Sequence, residues 1–515
     1  MNMTARVTWR EWAGFMAMVV GMFMAILDIQ IVSASLQDIQ AGLAASPDEV
    51  AWVQTSYLVA EIVMIPLSGW LSRLLSTRIL FVASALGFTL FSLACSYATS
   101  LSGMIFCRAM QGFIGGAMIP TVFATAFLMF PPLQRAKVSV LIGLTATLAP
   151  TIGPTLGGWL TDTFSWHWLF LINVPVGLAV AAAVWAWMHL DKPNFALRHG
   201  FDWLGLAFMA VFLGNVEYVL EEGSRWNWFE DETIVRSTVL GCLACVAFFW
   251  RMLTRPDPLV DLRTFRNSNF AIGSLFSFVL GIGLYGSVYL IPLFLGQVRG
   301  YNSLQIGETM FVTGFGMFAA APIVGNLIKL LDMRPIIATG LVLTGTAIWW
   351  TGHLTKDSAF WDLMGPQVLR GFAMMFVMIP SNQIALGRLP PIMMKNAAGL
   401  YNLMRNLGGA VGLAAINTIV TTRMTVHGTW LREQVTWSRA GATSFVDGLT
   451  ARIGMAEPGG AYLMALKKVS LLLQQQALTL SYDDVLLMMA TAFFAAMPLT
   501  LFLAKPAQAA GGGGH

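Results

Sequence analysis

Charge is scarce in this chain. Only 11% of its 515 residues are Asp, Glu, Lys or Arg, where a soluble domain carries about a quarter, while 57% are hydrophobic. A soluble globular domain is excluded on that ground. Cysteine is scarce as well: Cys95, Cys107, Cys242 and Cys245 all fall in apolar stretches, where a disulfide framework or a zinc site would be out of place. Cys242-x-x-Cys245 has the spacing of a redox pair, but chance gives the same spacing on an apolar helix. His167, His189, His199, His353 and His427 are scattered near the ends of apolar runs without ligand spacing. No HExxH, nucleophile elbow or GxxxxGK[ST] phosphate loop is present, so an enzyme, and ATP hydrolysis as an energy source, have no motif to rest on. No cofactor and no nucleic-acid partner are expected.

What the chain has instead is long hydrophobic runs. Segments of 18 or more apolar residues, each able to cross a hydrocarbon core of about 30 Å as helix, recur along the whole sequence. Hydropathy places fourteen spans near 13–36, 50–70, 79–98, 101–126, 138–160, 168–189, 203–221, 236–254, 268–297, 304–328, 335–354, 361–387, 396–422 and 484–503. The fold class is therefore all-α and polytopic, in the lipid bilayer. The start MNMTARVTWREW has no small-residue cleavage site after it, and an uncleaved first helix is expected. With both termini in the cytoplasm, seventeen Lys and Arg fall in the cytoplasmic tails and short loops and four in the short outer loops. That asymmetry sets the orientation, because positive residues near span ends resist translocation.

The chain looks duplicated. GWLSRLLSTR at 69–78 and GNLIKLLDMR at 325–334 share Gly, Leu, a base, a Leu-Leu pair and a closing Arg at the same offsets. Arg108 through Met118-Ile119-Pro120 is echoed by Arg370 through Met378-Ile379-Pro380. Matching spans one to six with nine to fourteen leaves seven and eight as an inserted hairpin, a 6 + 2 + 6 arrangement. The expected division is an N-terminal bundle over 1–190, a linker with two extra spans over 191–267, a C-terminal bundle over 268–503 and a flexible cytoplasmic tail over 504–515. The second bundle includes an outer polar loop at 423–483, with Trp430, Trp437 and the amphipathic run AYLMALKKVSLLLQQQALTL, suited to lie on the membrane or against a partner helix.

An acid or base at the centre of a membrane helix costs ~2.5–3.5 kcal/mol on insertion scales, so each one needs a reason. Asp28 lies roughly 12 Å below the outer end of span one and Arg108 roughly 10 Å below the outer start of span four, at 1.5 Å per residue. At one depth in one bundle they could neutralise each other, as a permanent structural pair or as one that a proton or a cationic substrate breaks. Gln30, Ser33 and Ser35 suit a wet cavity beside Asp28. Glu61, mid-span in LVAEIVMIP, sits where desolvation disfavours the charged form, which suits a group that loads and releases protons. Arg370 and Arg405 in the second half have no evident partner and are expected to tie helices to carbonyls or to the other bundle. Glu217, Glu221, Glu222 and Glu308 fall near outer span ends, where snorkelling and water make them cheap. Span five carries Pro150, Gly153, Pro154, Gly157 and Gly158, a GxxxG face with two helix-bending prolines, either a hinge or gate or a plain packing kink.

These segments together resemble the fourteen-span drug:proton antiporters of the major facilitator superfamily, and within them the Emr-type inner-membrane pumps of tripartite efflux systems. The carriers are LDIQIVSASL at 27–36, GWLSRLLSTR at 69–78, RAMQGFIGGAMIP at 108–120, APTIGPTLGG at 149–158, WHWLFLINVPVG at 166–177 and PLVDLRTFRNSNF at 258–270. The resemblance implies the major facilitator fold, proton coupling through Asp28 and Arg108, an exchange gate at Gly153, Pro154 and Gly157, and export of toxic amphipathic compounds. It also implies a periplasmic membrane-fusion adaptor and an outer-membrane channel as partners. Gln30 and Gln111 are candidate cavity residues. In the loop motif, carried by Gly69, Arg73 and Arg78 and by Gly325, Asp332 and Arg334, the family's usual Asp is Arg73 and its usual Gly is Ser76, whereas the second copy keeps Lys329, Asp332 and Arg334. Other readings are export of an anionic metabolite, fatty acid or siderophore met by Arg370 or Arg405, and a membrane sensor or scaffold acting through 423–483.

Overall fold

The computed structural model describes residues 7–50, 52–198, 201–256, 258–387, 389–436, 438–455 and 460–503. His199, Arg388, Trp437, the tail at 504–515 and the side chains of Ser33 and Pro150 lie outside the described residues. Every regular element among the described residues is helical. The membrane-crossing set in chain order is α1 (Trp9–Ala34), α2 (Trp52–Leu75), α3 (Thr77–Ser96), α4 (Leu101–Met129), α5 (Pro132–Thr163), α6 (Trp168–Trp187), α7 (Trp203–Glu222) and α8 (Glu232–Thr254). The second half continues with α9 (Ser268–Gln297), α10 (Ser303–Leu330), α11 (Met333–Thr351), α12 (Phe360–Leu386), α13 (Pro391–Gln434), the shorter α14 (Ala440–Gly454) and α15 (Ala461–Ala496). Twelve stretches are long and apolar enough to cross a membrane. The helices α5 and α11 pack among them where the hydropathy places spans five and eleven.

Helix starts follow local chemistry. Thr8 and Glu11 form a capping box at α1, the Thr8 amide donating to Glu11 Oε2 at 2.7 Å, and Asn302 and Gln305 repeat the device at α10. Asp332 caps α11 by accepting from the Arg334 amide at 3.1 Å. Between α2 and α3 only one residue turns the chain, and Ser76 does so at φ 81° and ψ 155°. That region is nearly reserved for glycine and costs a non-glycine residue of order 1–3 kcal/mol. Ser76 recovers part of this as a cap, its Oγ accepting from the Ile79 amide at 3.4 Å. Ser76→Gly is therefore expected to stabilise the protein by about 1 kcal/mol, since Gly in place of a serine cap loses only a few tenths. A thermal midpoint that rises in detergent checks this, and an unchanged or lower midpoint refutes it.

The duplication read in two short motifs extends to the packing. In the first half α1 lies on α5, α2 on α4 and α3 on α6; in the second α9 lies on α13, α10 on α12 and α11 on α15. The bundles meet by the pseudo-equivalent pairs α5–α10 and α2–α13. The inserted α7 and α8 pair with each other, and α7 leans on α2 and α13, one helix from each half.

The segment expected as an outer loop is mostly helix. At 44 residues α13 is about 66 Å long and at 36 residues α15 is about 54 Å, each well beyond the ~30 Å hydrocarbon core. The run AYLMALKKVSLLLQQQALTL is the first part of α15, continuous with the last span and packed against α14, rather than a separate helix lying on the membrane. Asp484 binds the two long helices together, accepting from His427 Nε2 at 2.9 Å with Arg423 Nε at 3.4 Å. Trp430 on α13 remains exposed.

Candidate functional site

Four helices converge on Asp28. Gly157 and Gly153 let α5 approach α1 closely: a Cβ at 157 would stand 2.7 Å from the carbonyl oxygen of Ile31, and one at 153 would stand 2.4 Å from Gln30 Cβ. The helix α5 continues through this run, with Pro154 and Gly158 half-buried beside that face. Gly112 performs the same service for α4, where a Cβ would meet the Tyr57 carbonyl oxygen of α2 at 2.3 Å. These close approaches bring Asp28, Arg108 and Tyr57 together, each fully buried.

Asp28 and Arg108 are both fully buried and form an ion pair of 2.6 Å. Gln111 accepts a second bond from Arg108 Nη1 at 2.8 Å and donates to Asp28 Oδ1 at 3.2 Å. Asn173 on α6 donates to Asp28 Oδ1 at 2.7 Å and is itself oriented by Ser92 of α3 at 3.0 Å. Arg108 Nε donates to the Val53 carbonyl at 3.1 Å, and its guanidinium lies 4.3 Å from the centre of the Tyr57 ring. Both carboxylate oxygens are occupied, and in this conformation Asp28 ties α1 to α4 and α6. The matched depths of Asp28 and Arg108 anticipated their meeting. Asn173 and Ser92 were missed, although an Asn in the apolar run WHWLFLINVPVG was a visible signal.

Glu61 differs. It is 3% exposed, on α2 one turn after Tyr57, and its carboxylate accepts no hydrogen bond from the described residues. It interacts electrostatically with Arg108 and Asp28 of its own bundle and with Tyr285 of α9 in the other. Gly116, where α4 is interrupted, leaves room for it, since a Cβ there would lie 3.1 Å from Glu61 Cγ. An acid so placed can bind a proton or a cation without first breaking a bond to the protein.

The second-half arginines are held by side chains rather than carbonyls. Arg370 donates to Thr313 Oγ1 at 3.0 Å, between α12 and α10. Arg405 reaches Asn382 at 3.5 Å and lies over Tyr401 at 5.4 Å and Phe123 at 5.2 Å; Phe123 belongs to α4, so Arg405 touches the other bundle. Two acids expected to be solvated are not: Glu217 is 5% and Glu222 2% exposed. The insertion of α7 against α2 and α13 covers that face, which no single-helix pattern announces.

The duplicated loop motif sits on both inter-bundle seams. A Cβ at Gly69 would stand 3.0 Å from the Lys395 carbonyl oxygen on α13, and Gly325 of α10 faces Val140 of α5. Arg78 donates to His189 at 2.6 Å and lies over Trp185, and Arg334 donates to the Leu503 carbonyl. An acid does meet this loop, from beyond the end of α6. Asp191, just after α6, accepts from the Thr77 amide at 2.9 Å and from Lys395 Nζ at 2.5 Å, while Lys395 also donates to the Ser72 carbonyl at 2.8 Å. This cross-bundle tie was not legible, because Asp191 and Lys395 are 204 residues apart.

Two helical bundles related by a repeat, joined by an inserted helix pair and holding buried charges at their centre, define a membrane transporter. The sequence pattern of the Major Facilitator Superfamily matches residues 18–413, and the chain belongs to that family, a multi-pass protein of the inner membrane. It is 43% identical over 510 residues to the colistin resistance protein EmrB of Acinetobacter baumannii, covering 98% of this chain and 99% of the other. It is 31% identical over 494 residues to the multidrug export protein EmrB of Escherichia coli, covering 96% and 95%. The solved human organic anion transporter MFSD10 (TETRAN) shares the fold at a TM-score of 0.59 and 13% identity, over 94% of this chain and 99% of that one.

Proposed function

We propose that the chain is a proton-driven antiporter that exports hydrophobic, amphipathic toxic compounds across the bacterial inner membrane. The observation that carries this is Glu61, a buried carboxyl with no hydrogen-bond partner among the described residues, in electrostatic contact with a buried ion pair and with Tyr285 of the opposite bundle. A carboxyl free of other bonds can hold a proton or a cationic cargo in turn. The Asp28–Arg108 pair, with Gln111, is the charged node whose field the proton changes. In this reading the bundles at 1–190 and 268–503 rock about the centre, with 191–267 as the linker, 504–515 as the tail and both termini cytoplasmic. The Pro150, Gly153, Pro154, Gly157 and Gly158 face is the exchange gate, and Gln30, Arg370 and Arg405 line the cavity or bridge the bundles.

The names of its relatives, a multidrug export protein and a colistin resistance protein, point the same way for cargo. A periplasmic adaptor and an outer-membrane channel complete the route, with the helices beyond the membrane in 423–483 the natural contact. The test is purified protein in vesicles with ethidium as cargo. Export is expected to require an imposed proton gradient, to stop with a protonophore and to acidify the cargo-donating side. Export that proceeds at full rate without a gradient refutes the reading.

A further inference from the structure

We propose that Glu217, on the inserted helix α7, is a proton-relay residue that with Glu221 carries protons from the outer aqueous phase to Glu61. The inference rests on Glu61 being the coupling acid. It adds a role for the inserted helix pair.

The register of α7 on α2 is set by two contacts. A Cβ at Gly214 would stand 3.6 Å from Val59, and Tyr218 stacks on Trp52 with ring centres 5.5 Å apart. Outward along α7 therefore runs with outward along α2, from Val59 toward Trp52. Glu217 falls between these contacts, on the outer side of Glu61, and Glu221 lies one turn, about 6 Å, further out. The three acids step inward from a partly exposed position at 221, through a 5% exposed one at 217, to a 3% exposed one at 61. Glu217 interacts electrostatically with both of the others.

Three acids in a row are not by themselves a path, but the polar groups around them are unsatisfied. Among the described residues, Glu217 Oε2 is buried without a hydrogen-bond partner, and so is the hydroxyl of Tyr57, one turn from Glu61 on α2. Buried polar atoms in this state are satisfied by water or a cation. The opposite bundle presents a matching column. Tyr285 of α9 interacts with Glu61 and Glu217, and Tyr289, one turn outward, interacts with Glu221. Their hydroxyls reach Asn406 at 3.4 Å and Asn417 at 2.8 Å on α13.

The charges facing the column are few. Arg405 on α13 lies near Tyr285, and Arg108 and Asp28 lie beyond Glu61. Arg225 is paired with Glu222 at 3.1 Å rather than with Glu217. In the relay an outer hydronium ion protonates the Glu221 carboxylate and leaves water. The neutral acid passes that proton to the Glu217 carboxylate and is restored as an anion, and Glu217 passes it to Glu61 in the same way.

The test uses full-length protein in vesicles with a trapped pH dye and tetraphenylphosphonium as cargo. Glu217→Gln is expected to slow gradient-driven transport about tenfold, less than the ~100-fold or more lost with the coupling acid itself, because a water can bridge one missing relay step. Cargo affinity and cargo-for-cargo exchange at equal pH should stay at wild-type values, and Glu217→Asp should restore much of the driven rate. A merely structural role would depress exchange and driven transport together, and that result overturns the proposal, as does a wild-type driven rate in Glu217→Gln. If Glu217→Gln does not fold, Glu221→Gln decides: slowed driven transport with intact exchange supports the relay, and a wild-type driven rate overturns it. Glu61→Gln is run alongside. Proton coupling that survives in Glu61→Gln refutes the coupling acid itself, whereas its loss there with Glu217→Gln unaffected refutes only the relay.

Discussion

Replacing Glu61 by glutamine is expected to reduce gradient-driven export about 100-fold, on the scale by which losing a positioned proton-transfer group slows a reaction. The substitution is close to isosteric and removes only the ability to bind a proton and to carry charge. It breaks no hydrogen bond, because the Glu61 carboxylate accepts none from the described residues. The fold should therefore survive with an unaltered or higher thermal midpoint, since an unpaired buried acid is itself a cost. Dye export and internal pH, recorded together in vesicles, give the readout. Export that keeps its full dependence on the gradient in this variant would remove Glu61 from the mechanism.

Asp28→Asn is expected to fail for the opposite reason. Its carboxylate neutralises a fully buried guanidinium and accepts from Gln111 and Asn173. Asparagine leaves Arg108 charged, and Nη2 of Arg108 already lacks a hydrogen-bond partner among the described residues. Removing one member of a buried ion pair typically costs about 3–5 kcal/mol, because the remaining charge is stranded. The variant should lose that much stability and lose export with it. Asp28→Asn combined with Arg108→Gln should recover part of the loss, since the pair then leaves no net charge in the interior. Unfolding of the purified single and double variants in detergent measures the coupling. A single variant within about 1 kcal/mol of wild type would show that the pair is not the structural tie its geometry describes.

The contrast between these two acids separates what each contributes. Both stand out in the sequence for one reason, a charge in an apolar run, and the sequence does not rank them. Hydrogen bonding does. Asp28 is saturated by three donors, whereas Glu61 is buried with none among the described residues, and that frees Glu61 to exchange partners in this conformation.

Composition and periodicity alone determined the all-helical, polytopic class, the fourteen runs, the duplicated motif and the matched depths of Asp28 and Arg108, because hydrocarbon forces each span to satisfy its own backbone and penalises each charge within it. Those constraints act on one helix at a time and are written along it. Which helix lies against which is not, and there the tertiary structure decided: Asn173 and Ser92 completing the Asp28 network, Asp191 reaching Lys395 across the bundles, and α7 burying Glu217 beside Glu61. The long extensions of α13 and α15 beyond the membrane were also hidden, since a polar helix outside the membrane has the same composition as a loop. Side chains from distant spans become neighbours only through packing, and a linear pattern carries no record of that distance.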